Sequence, residues 1–356
     1  MRIQLVIGDS DSRYLDNLQL YMERNHLDTL EVLSFTKPDI ILGFLENQQA
    51  DVILLGENFG IDASQIAESG VVAYLADNEK DCKKSDAPAI ARYKKPELIY
   101  KDVLNLYANG GGKWMQDSNS SSASGRLIMV TSFSGGTGAS TIAAAIASYF
   151  ASKKEKSIYL NFEPTGSSSV FFSGEGNYHF EDVLYAVKGS GVDTNLKITA
   201  SIRTDRSGVD YFAESSKALY NLEMTADDIM AILDAIRKCG EYQRIIIDMG
   251  FSLKEDVLKI CSLMDSIIVI NDGSLTANAK YERTLAAMEV LERQKKTTVR
   301  RKMRLLYNRF SNKSSEEIDN PGMPVLGELP PIRHAKSTEV LKYLLDNKKN
   351  VFDRLV

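Results

Sequence analysis

Near-continuous apolar runs alternate along the chain with segments of helical periodicity. The runs IQLVIG, LEVLSF, DVILLG, VVAYLA and IARYK read as strands, with helices over 12–25, 38–48, near 62–68 and over 97–107. Farther on, LIMVTS, SIYLNF, RIIIDM, SIIVIN and MRLLYN read as strands. The helices between and after them cover 140–152, 180–188, 225–239, 253–263, 275–293 and a C-terminal stretch from about 337. Unbroken apolar strands, rather than alternating ones, predict parallel sheets covered on both faces. Each half of the chain is therefore expected to be a doubly wound α/β domain, with ligands beyond the carboxyl ends of its strands.

The stretch NGGGKWMQDSNSSSASG, residues 109–125, breaks the pattern. Its glycines and serines have little to bury, so it reads as a flexible linker. It carries Trp114, the single tryptophan, and separates a domain over 1–108 from one over 126–356. The length of 356 residues suits two domains. A hydrophobic fraction of 44% and a charged fraction of 26% exclude global disorder and a collagen-like fibre. The formal charge of −5 argues against a general nucleic-acid coat. Cys82, Cys239 and Cys261 show no paired spacing, and His26, His179 and His334 are isolated, so neither a disulfide framework nor a histidine metal cage is expected. Acidic residues arrive too early for a secretory signal, and no apolar run is long enough to span a bilayer. A cytoplasmic protein with at most peripheral membrane contact is expected.

The sharpest chemical feature is VTSFSGGTGASTIAAAIASYF, residues 130–150. A strand runs into a glycine-rich turn that opens a helix. Gly135, Gly136 and Gly138 allow tight turning, so backbone N–H groups can cradle phosphates at a positive helix end. Ser140 is placed to offer its hydroxyl to Mg²⁺, and Thr141 to cap the loop. Residues 133–141 resemble the deviant P-loop of the MinD/ParA ATPases. Phe133 stands at that family's opening glycine, Ser134 at its signature lysine and Ala139 at its Walker lysine. Thr137 occupies the variable position between the glycines.

The resemblance extends over most of 126–345. RIIIDMG is similar to a Walker B strand, with Asp248 at its end as a second Mg²⁺ contact. SIYLNFEPTG is similar to the family's switch segment, with Asn161 and Glu163 at its two aspartate positions. Glu163 and Asp248 are the catalytic candidates this implies. LLYNRF is similar to the family's Asn-Arg strand, which implies that Asn308 pairs with adenine and Arg309 flanks it. LGELPPIR is similar to the segment closing over the base, which implies Pro330 and Pro331 as pocket lining. ATP and Mg²⁺ are thus the implied cofactors. With both lysines absent, slow or no hydrolysis is expected.

Residues 1–108 resemble response-regulator receivers through Asp9 and Asp11 after the first strand and Lys95-Pro96 after the fifth. The third strand ends in Gly56 where the phosphoacceptor aspartate would stand. Glu57 faces the other side of a strand, so no acyl phosphate is expected there. Asp9 and Asp11 suit a loop or helix cap better than a Mg²⁺ site. The basic run RQKKTTVRRKMR, 293–304, is read as a solvated loop, and the C-terminal helix as packed by Leu341, Leu344 and Leu345.

A disabled receiver joined to a lysine-deficient MinD/ParA-like ATPase resembles the TadZ/CpaE family. That resemblance implies a dimeric, ATP-binding hub that localises the tight-adherence (Flp) type IV pilus secretion machinery at a cell pole. Its implied partners are other pilus-assembly proteins, with no specific nucleic acid. A working partition or division-site ATPase and a response-regulator-like signalling protein are the alternatives.

Overall fold

The computed structural model describes residues 2–78, 87–111, 125–189, 193–238, 241–295 and 298–355. Most of the predicted linker, with Trp114, lies outside them, as do Cys82 and Cys239. The chain divides into two units, Met1–Ser120 with Lys188–Ser201, and Ser121–Val187 with Ile202–Val356.

The first unit carries β1 (Ile3–Gly8), α1 (Ser12–Asn25), β2 (Leu30–Phe35), α2 (Pro38–Leu45), β3 (Val52–Gly56), β4 (Val71–Ala76), β5 (Ala89–Ala91) and α3 (Pro96–Asn109). Its strands form a parallel sheet in the order β2-β1-β3-β4-β5, the flavodoxin-like arrangement. Every residue of β3 is buried, which explains its unbroken apolar sequence. Leu15, Leu18 and Met22 bury one face of α1, whose start is capped by Asp11.

Two local expectations need correction. The helix near 62–68 is a single 3₁₀ turn, Ala63–Gln65. Gly60 and Gly70 bracket it, and an added Cβ on Gly70 would lie 2.2 Å from the Ala50 carbonyl oxygen, so close backbone approach ends the segment early. The strand expected over IARYK stops at Ala91, because Arg92 turns away to meet Asp9.

The second unit opens with β6 (Arg126–Thr131), α4 (Ala139–Ser152), β7 (Ser157–Asn161) and α5 (Phe180–Lys188). After α6 (Thr194–Ser201), which belongs to the first unit, come β8 (Arg203–Thr204), β9 (Asp210–Tyr211), α7 (Leu219–Leu222) and α8 (Ala226–Lys238). The chain closes with β10 (Arg244–Asp248), α9 (Glu255–Leu263), β11 (Ser266–Asn271), α10 (Leu275–Lys295), β12 (Met303–Tyr307), β13 (Val325–Glu328), α11 (Ser337–Asn347) and α12 (Lys349–Phe352). The sheet order is β13-β12-β11-β6-β10-β7-β9-β8, parallel except for the antiparallel pair β8 and β9. Its core centres on α4, whose residues Ile142–Phe150 are all buried.

Leu344, Val351 and Phe352 join that core, and Leu341 and Leu345 pack against it, so the C-terminal helix is spent on packing as expected. No helix among the described residues is long and apolar enough to cross a membrane. Much of the basic run is engaged locally. Arg300 pairs with Glu292 at 2.8 Å, Arg293 pairs with Glu289 at 2.6 Å, and Lys302 donates to the Ser262 carbonyl at 2.6 Å.

Helix α6 was not expected, and it clusters with the first unit, packed along α3. Lys197 of α6 donates to the Asn105 side chain of α3. Its buried residues Leu196, Ile198 and Ala200 recur at every second position, a strand-like spacing that hides a short helix.

Candidate functional site

Strand β6 lies mid-sheet between β10 and β11, and the glycine loop leaves its carboxyl end. Gly136 and Gly138 adopt left-handed backbone, with φ of 81° and 87°. Gly138 precedes α4, and no side chain caps that helix, so its first-turn N–H groups are not claimed by a cap. An added Cβ on Gly138 would lie 2.6 Å from Asn308 Nδ2. An open cavity of about 470 Å³ is lined by residues 132–141, Glu163, Asp248, Met249, Gly250, Phe251 and Arg309. The cavity lies where the sequence predicts a phosphate cradle, at the switch point where such folds bind ligands.

Behind the loop, Asn308 is buried and its amide donates to the Thr137 carbonyl at 2.7 Å. Arg309 Nη1 donates to the Gly136 carbonyl at 2.9 Å. The loop thus has two carbonyls tied down from behind. Thr137 Oγ1 is buried with no hydrogen-bond partner among the described residues.

Pairing of β10 with β6 and β7 sets Asp248 level with Val130 and Asn161. The Asp248 carboxylate accepts from Tyr159 Oη at 2.6 Å and from Asn161 Nδ2 at 3.1 Å. Ser140 stands within hydrogen-bonding reach of the same carboxyl. Burial pushes the Asp248 carboxyl up to about 7; the Tyr159 bond opposes this, the Glu163 charge adds to it, and the Ser140 bond opposes it. Asn161 Oδ1 also accepts the Glu163 backbone N–H at 2.9 Å, which fixes the switch-like segment at its start. A serine hydroxyl beside one buried carboxylate is a hard-oxygen donor pair. It suits Mg²⁺, which takes few protein ligands and keeps phosphate oxygens and waters for the rest. The unclaimed helix N-terminus and the left-handed glycines likewise fit a polyphosphate.

Of the predicted residues, Ser134, Gly135, Gly136, Thr137, Gly138, Ala139, Ser140, Thr141, Glu163, Asp248 and Arg309 share this cavity. Asn308, Pro330 and Pro331 are not among its lining residues. Asn308 is held behind the loop, and the prolines follow β13, which lies three strands from β6. Sequence reasoning missed Tyr159, although its place two residues before Asn161 puts both on one face of β7. It also missed an aromatic wall. Phe133 packs on Phe251 and Tyr281 with ring centroids 4.6 and 5.6 Å apart and the rings tilted, so an aromatic ring stands at the position of the family's opening glycine.

The first unit has its own altered site. Asp9, at the end of β1, is 1% exposed. Its Oδ1 accepts the Asp11 N–H at 2.9 Å and Arg92 Nη2 at 3.0 Å. Asp11 Oδ2 lies 3.4 Å from the same guanidinium, while Asp11 Oδ1 accepts the Tyr14 N–H as the cap of α1. The Arg92 guanidinium also lies 4.6 Å over the Tyr14 ring. An internal cation is therefore shared by the acidic pair and offsets one of its two charges, while Asp11 takes the expected cap role. No group of three or more His, Cys, Asp or Glu suited to a metal occurs among the described residues. A Cβ on Gly56 would lie 2.4 Å from Asp9 Oδ2, so Asp9 itself fills the phosphoacceptor space. Gly56→Asp is accordingly expected to stay unlabelled by acetyl phosphate, and a phosphorylated product seen by mass spectrometry would overturn this.

Fold and sites together define a receiver-type domain without a phosphoacceptor joined to a P-loop ATPase fold without a lysine in its loop. Residues 1–108 match the family model described as "TadZ-like, receiver domain". The second unit's fold is that of the MinD/ParA ATPases. The chain is similar to a ParA family ATPase from Chlorobium tepidum TLS, at 18% identity and a TM-score of 0.53, over 65% of this chain and 97% of that one. It is similar as well to MinD in the MinC:MinD cell division protein complex from Aquifex aeolicus, at 14% identity and a TM-score of 0.51, over 65% and 95%. No curated protein sequence matches the chain. Residues 1–108 are thus similar to a TadZ-like receiver domain, and their pairing with a MinD/ParA fold is consistent with the TadZ/CpaE family.

Proposed function

We propose that this chain is an ATP- and Mg²⁺-binding, dimeric hub that positions and helps assemble a tight-adherence pilus secretion machinery at the cell pole, hydrolysing ATP slowly or not at all. The observation that carries this reading is a cavity formed around a glycine loop at a helix start, whose lining contains no lysine. Backbone N–H groups, a helix end and a metal supply attraction for a bound triphosphate. Charge developing in the transition state needs preorganised donors, and losing one such donor typically costs about 10²–10³ in rate. Ser140 and Asp248 would hold the metal, and Glu163 is the remaining acidic group facing the cavity. A receiver whose acidic pair is tied to an internal arginine, with Asp9 filling the phosphoacceptor space, suits a fixed protein-docking role better than a phosphorylation switch. The implied setting is cytoplasmic, with any membrane association made through partner proteins.

The test is to purify the full chain, extract any bound nucleotide and measure turnover with Mg²⁺. ATP is expected in the extract, with turnover at least about 100-fold below that of a lysine-bearing MinD/ParA protein. Recovery of ADP with brisk turnover, stimulated by DNA or lipid vesicles, would instead make the chain a working partition-type ATPase.

A further inference from the structure

We propose that Arg309 is a direct ligand of the nucleotide's phosphates, supplying the positive charge that the loop lacks, rather than a flank to the base. This rests on the nucleotide-binding reading above. Arg309 is the single cationic side chain among the cavity's lining residues, which also include the acids Glu163 and Asp248. A polyphosphate entering there meets two carboxyl groups and one guanidinium. Backbone N–H groups and a metal offset part of that balance, and Arg309 is the lining side chain positioned to add to them.

Geometry supports the assignment. Arg309 Nη1 is anchored on the Gly136 carbonyl at 2.9 Å. Its Nε and Nη2 both lie 3.6 Å from where a Gly138 Cβ would be, so the guanidinium runs along the loop from residue 136 to residue 138. The base expectation would turn it away from the loop. One N–H of five is engaged by the Gly136 carbonyl, and no ion pair holds Arg309 among the described residues. The free donors form a planar fork, the shape that matches phosphate oxygens in pairs.

The backbone carries a second, independent sign. Arg309 has φ of 57°, in the left-handed region that a bulky side chain avoids. Such strain persists where the surrounding structure enforces it, and it concentrates at ligand sites. Here it is enforced by the neighbouring Asn308, whose N–H donates to the Asn271 carbonyl at 2.8 Å and whose side chain is tied to Thr137. The strained turn aims the next side chain at the loop.

The experiment measures equilibrium binding of Mg²⁺ with ATP, with AMP and with inorganic tripolyphosphate to the full chain and its variants. Arg309→Ala is expected to weaken ATP and tripolyphosphate by roughly 10- to 100-fold while changing AMP by less than about threefold. Arg309→Lys, a point charge without the fork, should fall between. Arg309→Gly relieves the left-handed strain, so it should stay folded and show the same loss as Arg309→Ala. Weakening of ATP and AMP with tripolyphosphate binding unchanged would mark a base contact and overturn the proposal. So would unchanged ATP binding in the variants of a wild type that binds well. A wild type that binds neither ATP nor tripolyphosphate would bring down the nucleotide reading itself.

Discussion

Replacing Arg92 with alanine is expected to destabilise the first unit by about 3–5 kcal/mol, the usual cost of removing one partner from a buried ion pair. The Asp9 side chain is 2% exposed and the Arg92 side chain 15%, so neither charge has much water to fall back on. Asp9 Oδ2 already lacks a hydrogen-bond partner among the described residues. Without Arg92, its carboxylate would keep a single donor among the described residues, the Asp11 N–H. The variant also loses the stacking of the guanidinium on Tyr14. Arg92→Lys keeps a charge but loses the plane, and should cost less. Hydrogen exchange read on peptides spanning β1 and the residues after β5 checks this. Unchanged protection in Arg92→Ala would show that the acidic pair needs no cation.

That pocket also marks the limit of what the primary structure reveals. Asp9, Asp11 and Gly56 were legible because each sits where a parallel strand ends, and strand ends follow from apolar runs. Arg92 was not, because it lies in a stretch that reads as a strand, and the contact it makes spans 83 residues. The phosphate loop behaves the same way. Its glycines and helix start announce themselves locally, and eleven of the predicted site residues share one cavity. Asn308 and Arg309 are placed by pairing of β12 beside β11, so their reach to the Thr137 and Gly136 carbonyls depends on sheet order. Tyr159 escaped notice because a tyrosine within a buried strand reads as core; its hydroxyl matters through Asp248, on the neighbouring strand.

Gly138→Ala should combine two penalties. An L side chain at a φ of 87° is strained by about 1–2 kcal/mol. The new Cβ, 2.6 Å from Asn308 Nδ2, would push that amide off the Thr137 carbonyl, and losing a buried hydrogen bond costs about 1–3 kcal/mol more. The sum of roughly 2–5 kcal/mol corresponds to a melting point lower by roughly 5–15 °C for a unit of this size. Nucleotide affinity should fall more steeply than in the Arg309 variants, since the whole cradle moves. Calorimetry of the unliganded variant, alongside ATP binding, checks both. A variant that melts like the wild type and binds ATP equally well would show that the loop does not depend on its left-handed hinge.

Because α6 belongs to the first unit while its flanking segments belong to the second, the polypeptide visits the receiver twice. A cut at the serine-rich stretch would not yield two self-sufficient pieces. The amino-terminal fragment would lose the helix that lies along α3, and with it the Lys197 contact to Asn105. The carboxy-terminal fragment would keep α6 with nothing of its own unit to pack against. Anyone dissecting this protein should graft Lys188–Ser201 back onto the receiver by a short tether before asking what that half recognises.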